Sequence, residues 1–369
     1  MSDASRGTRW PSAADFAPAP SPGDLARWAD ADRAARPGRR ERLQARFGPH
    51  GVDAYFGVRR ENTRYLTGFV LGEGEEKVAG HSGQFLIGGS DIVILADSRY
   101  TIQAARQAEE ARIEDVGYDL PSAWAKLIAS VGAKRVAVEA GFVPHALWGR
   151  LEAAAPDVEL VAVEGWVEAD RATKEPAEFE RVAAACAVAD RALAALLPKI
   201  LSGMTEASLA LDLEWLLRTG GAEAVAFDPT CLAGANAALP HGSPGETTLA
   251  AGSVVLFDFG AQVAGYRSDI TRTLFVGEPV ERDLGVYELV AAAQAEAIAQ
   301  LEATVGAEVE LPSGRDLDGV ARGVIEADGR WPAYGHGLGH GIGLATHEAP
   351  SLGRNATDGA LPSDRKSVV

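Results

Sequence analysis

The stretch Val254 to Leu274, VVLFDFGAQVAGYRSDITRTL, constrains this chain more than any other. It reads as a strand, a short glycine-bounded turn and a second strand. With the tip at Val263-Ala264 and the strands paired symmetrically, Asp258 falls opposite Asp269. Directly opposed residues of an antiparallel pair share a face, with Cβ atoms roughly 4.5–5.5 Å apart. Asp258 also shares its face with Val254 and Leu256, which are expected to point inward. Two carboxylates side by side on an apolar face are costly unless a cation lies between them. An Arg or Lys could neutralise them. So could a pair of divalent metals, which in two-metal hydrolytic sites sit about 4 Å apart. The hairpin alone leaves both answers open.

The histidines decide between them. Tyr334 to Pro350 reads YGHGLGHGIGLATHEAP, with His336 and His340 four apart. Glycines at 335, 337, 339, 341 and 343 make a helix unfavourable. An extended segment in which backbone approaches backbone is expected, with His336, Leu338 and His340 on one face. The chain has seven histidines, and four stand at 241, 336, 340 and 347. Gathered in one domain beside a carboxylate pair, they point to function rather than packing. A dinuclear hydrolytic site needs bridging oxygen ligands, an imidazole and an open position for a water that the metals acidify to hydroxide. Asp258 and Asp269 suit the first need and His340 the second. His241 and His347 remain to move protons or to bind the tetrahedral intermediate.

At 369 residues the chain has room for two domains, and 47% hydrophobic content gives each an ordinary core. Residues 1–36 read as a mostly disordered leader with a short helix near Leu25 to Arg36. Residues 37–165 alternate strands and helices. Strands are expected at Val52 to Val58, 136–138 and Leu160 to Val163, a hairpin at 85–95, and a helix from Thr101 to Ala111. His81 reads as a plain loop histidine. A domain boundary is expected between Gly165 and Arg171. Beyond it a long helix opens with Pro176 in its first turn, carrying a stripe of Phe179, Val182, Ala183, Cys186, Ala189, Leu193, Leu196, Leu197 and Ile200. A second helix is capped by Thr205, carries Leu209, Leu213, Leu216 and Leu217 on one face, and ends at Gly220-Gly221. A loop from Asp228 to Glu246 then carries Asn236 and His241. Two more helices are expected at Val286 to Val305 and Leu317 to Asp328, the latter closed by Gly329.

A net charge of −17 argues against nucleic acid and against an anionic membrane as partners. No stretch approaches the ~18 apolar residues of a membrane span, and the N-terminus lacks the apolar core of a signal peptide. Cytoplasmic localisation is therefore expected. With two cysteines, Cys186 and Cys231, buried thiols are expected rather than a disulfide framework.

Three ordered motifs, LPHGSPGE, DFGAQVAGYRSDITRT and HGLGHGIGLATHEAP, closely resemble the metallopeptidase family of Xaa-Pro dipeptidases (prolidases), aminopeptidase P and methionine aminopeptidase. These share the pita-bread fold. NTRYLTGF at 62–69 and ADSRY at 96–100 resemble the N-terminal domain of the Xaa-Pro members, which methionine aminopeptidases lack. The resemblance covers about 45–355. It implies an α/β (α+β) chain, with a creatinase-like N-terminal domain over 37–165 and a pita-bread domain over 166–369. It implies Asp258, Asp269 and His340 as metal ligands, His241 as a proton-shuttling or substrate-binding histidine, and His347 as the contact to the substrate carbonyl. Arg272 would stand behind the ligands and His336 would be a wall residue. Two Mn²⁺, Co²⁺ or similar ions, cleavage of the bond before a proline in a dipeptide or peptide N-terminus, and a homodimer are implied as well.

The chain departs from the family in one respect. The family completes its site with two glutamates beyond the HE-x-P motif, in segments like EPG-x-Y and RxED. Neither segment occurs here. Glu348 belongs to the HE motif itself, and Asp358 and Asp364 lie in a polar tail. The catalytic domain is therefore expected to be incomplete at its C-terminus, with exposed apolar edges, and inactive as given. The six closing residues, Asp364 to Val369, are what the common sequencing-adapter string GATCGGAAGAGCGTCGTGTAG encodes, so the natural protein is expected to continue after about Ser363. Two other readings use the same fold. A metal-free, creatinase-like amidinohydrolase would not need Asp258, Asp269 and His340 together, and a degenerate binding protein would not need the histidines.

Overall fold

A computed structural model of the chain describes residues 11–72, 79–307, 310–331, 334–356 and 359–361. The first ten residues of the expected leader, together with Asp358, Asp364 and the closing six, lie outside the described residues. The chain divides into two units. One takes in the residues up to Trp28 and those from Arg171 onward; the other is Ala29–Asp170.

Helix α1 (Pro22–Gln44) stands where a disordered leader with a short helix was expected. Ser21 caps it reciprocally: its Oγ accepts the Asp24 amide at 3.2 Å, and its own amide donates to the Asp24 carboxylate at 3.0 Å. The helix has few apolar residues, but it is anchored all the same. Trp28 and Leu43 are buried, and Arg39 is buried over the Tyr65 ring, donating to the Tyr65 carbonyl at 3.1 Å.

The unit from Ala29 to Asp170 continues with α2 (Phe47–His50), β1 (Ala54–Gly57), α3 (Arg60–Thr67), β2 (Phe85–Gly88), β3 (Asp91–Ala96), α4 (Thr101–Gln107), β4 (Arg112–Asp115), α5 (Leu120–Ser130), β5 (Arg135–Glu139), α6 (His145–Ala154) and β6 (Glu159–Val163), and runs into α7 (Trp166–Ala172). Its strands form one mixed sheet in the order β4-β3-β2-β1-β5-β6. Strands β1 and β2 are buried at every residue, as apolar runs covered on both faces should be. The expected β2–β3 hairpin is present, with Gly88 opposite Asp91. Strand β4 and helices α5 and α6 were not anticipated. The sequence of β4, RIED, is charged because it is an edge.

Asp97, just past β3, closes this unit's polar core. It accepts the Ser82 hydroxyl at 2.9 Å, and the Arg99 amide and guanidinium at 2.8–2.9 Å. The Arg99 bonds hold its carboxyl down at about 2 against the opposing effect of burial. A folded-state value below the unfolded one stabilises the fold above the ordinary carboxylate range, and that contribution is lost as pH falls toward 2. Asp97→Asn should therefore lower stability at neutral pH and shrink the further loss on acidification. Urea unfolding followed across the acid range measures both.

The other unit is built on α8 (Pro176–Leu196), α9 (Glu206–Thr219), β7 (Ala224–Val225), β8 (Thr230–Ala233), β9 (Val254–Phe259), β10 (Ala261–Val263), β11 (Tyr266–Arg267), β12 (Ile270–Phe275), α10 (Glu281–Ala307), α11 (Gly314–Asp328), β13 (Gly339–Gly341) and β14 (Glu348–Leu352). The strands form two three-stranded sheets, β11-β10-β7 and β12-β9-β8, and the pair β13–β14. Helix α9 is as expected: Thr205 accepts the Ser208 amide at 3.1 Å, and Leu209, Leu213 and Leu217 are fully buried. Helix α8 keeps the expected stripe from Ala189 to Leu196, but its first turns face otherwise. Ala185, Val188, Ala189, Ala192, Leu193 and Leu196 are buried, while Phe179 is 44% exposed. The cause is Tyr266, which donates to Glu178 at 2.7 Å and lies under Arg181, so two charged side chains hold the inner face of the first turns. No helix among the described residues is long and apolar enough to cross a membrane.

Candidate metal centre

The central hairpin turns at Ala264-Gly265, both with positive φ (47° and 84°). Glu223 pins the turn, accepting the Gly265 amide at 2.6 Å and the Gln262 amide group at 2.9 Å. The tip is one residue later than expected, so every pair moves by two: Asp258 lies opposite Thr271, not Asp269. Two residues is one full side-chain period. Asp258 and Asp269 therefore keep a common face, as diagonal neighbours. That face is not the one turned to the core. Val255, Phe257 and Phe259 pack into the hydrophobic cluster with Val188, Leu209 and Leu213, whereas Val254, Leu256 and Asp258 are only half-buried. The expectation that Val254 and Leu256 point inward fails because α8 and α9 cover the opposite side of the strand.

Burial pushes the Asp258 carboxyl above the usual range, the charge of Asp269 adds to this, and the Thr271 hydroxyl at 3.2 Å opposes it. Burial likewise raises Asp269, with His340 opposing. The Nδ1 of His340 donates to the Gly341 carbonyl at 3.0 Å, which turns Nε2 toward Asp269, 3.5 Å from its Oδ2. The His347 ring lies 4.1 Å from that of His340. His347 is lowered by burial first, then by the imidazoles of His340 and His241. The loop residue His241 is exposed and acts electrostatically on both Asp258 and His347. The structure thus draws Asp258, Asp269, His340, His347 and His241 into one neighbourhood. Arg272 is elsewhere. It lies on the other face of β12, 3.7 Å from Asp190, and donates to the Thr271 carbonyl at 2.9 Å. His336 is exposed against Tyr334, with ring centroids 5.0 Å apart.

Two half-buried carboxyls, both raised by burial, with an imidazole nitrogen alongside, are chemically suited to a divalent cation. Among the described residues, these donors do not close around one point as an assembled cage would.

The glycines of the histidine segment are required by contact. A Cβ on Gly341 would fall 2.2 Å from the Ala349 carbonyl oxygen, and one on Gly337 2.7 Å from that of Leu352. Arg267 ties this segment to the hairpin, donating its amide to the Gly343 carbonyl at 2.9 Å and its guanidinium to Thr346 Oγ1 at 3.2 Å.

Sequence reasoning missed one cluster. The Glu348 side chain is 4% exposed and paired with Arg171, with Lys174 Nζ at 3.4 Å, and it accepts the Ala345 amide at 2.7 Å. Burial raises this carboxyl, but Arg171 and Lys174 outweigh burial and leave it lowered. The cluster pins the chain on both sides of His347. No local pattern links Arg171 to a carboxylate 177 positions away. Glu348→Gln removes the carboxylate from two buried cations, and urea unfolding should show a loss of about 3–5 kcal/mol.

Comparison with known proteins gives two matched domains. Metallopeptidase family M24 matches residues 180–365, and the Creatinase/Prolidase N-terminal domain matches residues 39–173. The uncharacterized peptidase YqhT of Bacillus subtilis is 33% identical over 312 residues, covering 85% of this chain and 84% of its own length. The Xaa-Pro dipeptidase from Bacillus anthracis superposes with a TM-score of 0.77 at 30% identity, over 88% of this chain and 86% of its own. The X-Pro aminopeptidase from Thermotoga maritima MSB8 gives 0.76 at 31% identity, over 87% and 86%.

Proposed function

The chain belongs to metallopeptidase family M24, whose peptidases are metal-dependent, and from that premise we propose that its site serves hydrolysis of an Xaa-Pro bond with two divalent cations. The observation that carries the reading is the Asp258–Asp269 pair with His340 Nε2 at 3.5 Å from Asp269. Asp258 and Asp269 would hold the cations, Mn²⁺ or Co²⁺, and His340 would add a nitrogen ligand. When bound, such cations polarise the scissile carbonyl and supply a nucleophile at neutral pH. His347, its ring tilted at 40° beside that of His340, would present a ring N–H to the carbonyl oxygen as negative charge develops there. His241, on its exposed loop, would bind the substrate or carry a proton. The substrate class is a proline-containing dipeptide or peptide N-terminus. The dipeptidase and the aminopeptidase fit this chain equally well, so the reading commits to the bond and not to the peptide's length.

Asp258, Asp269 and His340 are too few to fill two coordination spheres. The 369-residue chain should therefore bind Co²⁺ weakly and show negligible turnover of an Xaa-Pro dipeptide. Titration followed by visible absorption should show cobalt bands in the unaltered chain and none in Asp258→Asn or His340→Ala. If the unaltered chain takes up neither Co²⁺ nor Mn²⁺, the metal assignment is wrong. Robust turnover would overturn the expected inactivity and leave the peptidase reading standing.

A further inference from the structure

Tyr334 to Leu338, the approach to His340, belongs to no strand. Its backbone polar groups are met instead by two side chains of α11. Arg322 Nη1 donates to the Tyr334 carbonyl at 2.6 Å and Nη2 to the His336 carbonyl. Asp318 Oδ1 accepts the Leu338 amide at 2.9 Å. The two side chains are themselves joined, with Arg322 Nε on Asp318 Oδ2 and Nη2 on Oδ1 at 3.1 Å. Both are buried, Asp318 at 1% and Arg322 at 7% exposure. The Tyr334 ring covers the guanidinium at 4.0 Å, and its hydroxyl lies 3.2 Å from Asp318 Oδ1.

The contacts fall on residues 334, 336 and 338, so every second residue is met although the chain bends at 335, 336 and 338 instead of running extended as the sequence suggested. A planar guanidinium joined to a carboxylate presents fixed donors and an acceptor to three backbone groups at once. An ammonium group, a point charge on a flexible stem, does not. The other side of the segment is closed by β14, because Gly337 leaves no room for a Cβ beside the Leu352 carbonyl. Helix α11 is registered on the same strand: a Cβ on Gly314, its first residue, would fall 2.0 Å from the Ser351 carbonyl oxygen. The clamp, the segment and β14 thus form one closed circuit that ends at His340.

We propose that Asp318 and Arg322 are positioning residues that take the place of a missing strand partner and thereby aim His340 at Asp269. The proposal rests on the reading of His340 as a metal ligand, and its test separates the two. Arg322→Lys keeps the charge and loses the fork. In the full chain without metal, long-range ¹H–¹⁵N spectra should show the His340 ring resonances displaced, while those of His50 and His145, in the other unit, stay in place. Co²⁺ affinity should fall about 10–100-fold, the range typical when a ligand loses its orienting partner. A purely structural pair would lower the melting temperature and leave the His340 resonances and the Co²⁺ affinity of the folded protein unchanged, which overturns the proposal. If the unaltered chain takes up no Co²⁺, the metal reading fails and the His340 resonances still decide the positioning role. If Arg322→Lys does not fold, amide exchange in the unaltered chain decides. Leu338 should exchange as slowly as the core of α11, and rapid exchange there overturns the proposal.

Discussion

Two carboxyl groups held on one half-buried face of a hairpin are the condition to which the rest of the catalytic unit answers. Burial raises both Asp258 and Asp269, and the charge of Asp269 raises Asp258 further. A cation between them would offset the cost of holding two carboxylates together away from water. The strand is built around that pair. Its fully buried apolar residues, Val255, Phe257 and Phe259, go to the opposite side, where α8 and α9 cover them, and Val254 and Leu256 stay half-buried beside Asp258. The carboxyl face is left to polar partners brought from later in the chain.

Those partners come from a segment with almost no side chains to hold it. A glycine-rich stretch can pass within contact distance of its neighbours, as Gly337 and Gly341 do, but apart from Leu338, Leu344 and Ala345 it offers the core little to grip. Its handles are backbone carbonyls and amides, and buried charged groups take them: Asp318 and Arg322 before His340, and Arg171, Lys174 and Glu348 around His347. A buried ion pair contributes little net stability against an apolar equivalent, but it fixes direction. Direction is what two imidazoles opposite a carboxyl pair require.

How much of this was legible in the sequence follows the range over which each interaction acts. The common face of Asp258 and Asp269 survived a misplaced turn because the error amounted to a whole side-chain period. The turn itself was missed because it puts Ala264 at a positive φ, which composition does not announce. Helix α9 was readable from its cap and leucine spacing, since both are local. The face of the first turns of α8 was not, because Tyr266, 88 positions from Glu178, decides which side turns inward. The same holds for α1, whose weak hydrophobicity conceals anchoring by Trp28 and Arg39. Arg272 was assigned by its place in a motif, and the alternation of β12 puts it on the other face, beside Asp190. The motifs carried identity well, but orientation belonged to contacts no motif contains.

The site is therefore made of two halves with different supports. The carboxyl half is fixed by the hydrophobic cluster under β9 and by Glu223 at the turn. The imidazole half is fixed by buried ion clusters. Arg267 links them directly, its amide on Gly343 and its guanidinium on Thr346 and Ala226. The core supports the first half whether or not a cation is present. The second half depends on charged groups whose hold is geometric rather than apolar. Loss of a clamp should then leave a folded hairpin with its carboxyl pair uncompensated, and on the proposed reading metal affinity would report how well the histidine segment is held. Cation binding would in turn draw the two halves together, since each donor it recruits lies on a separately supported element. On the proposed metal reading, packing and ion pairing would both bear on metal affinity through His340.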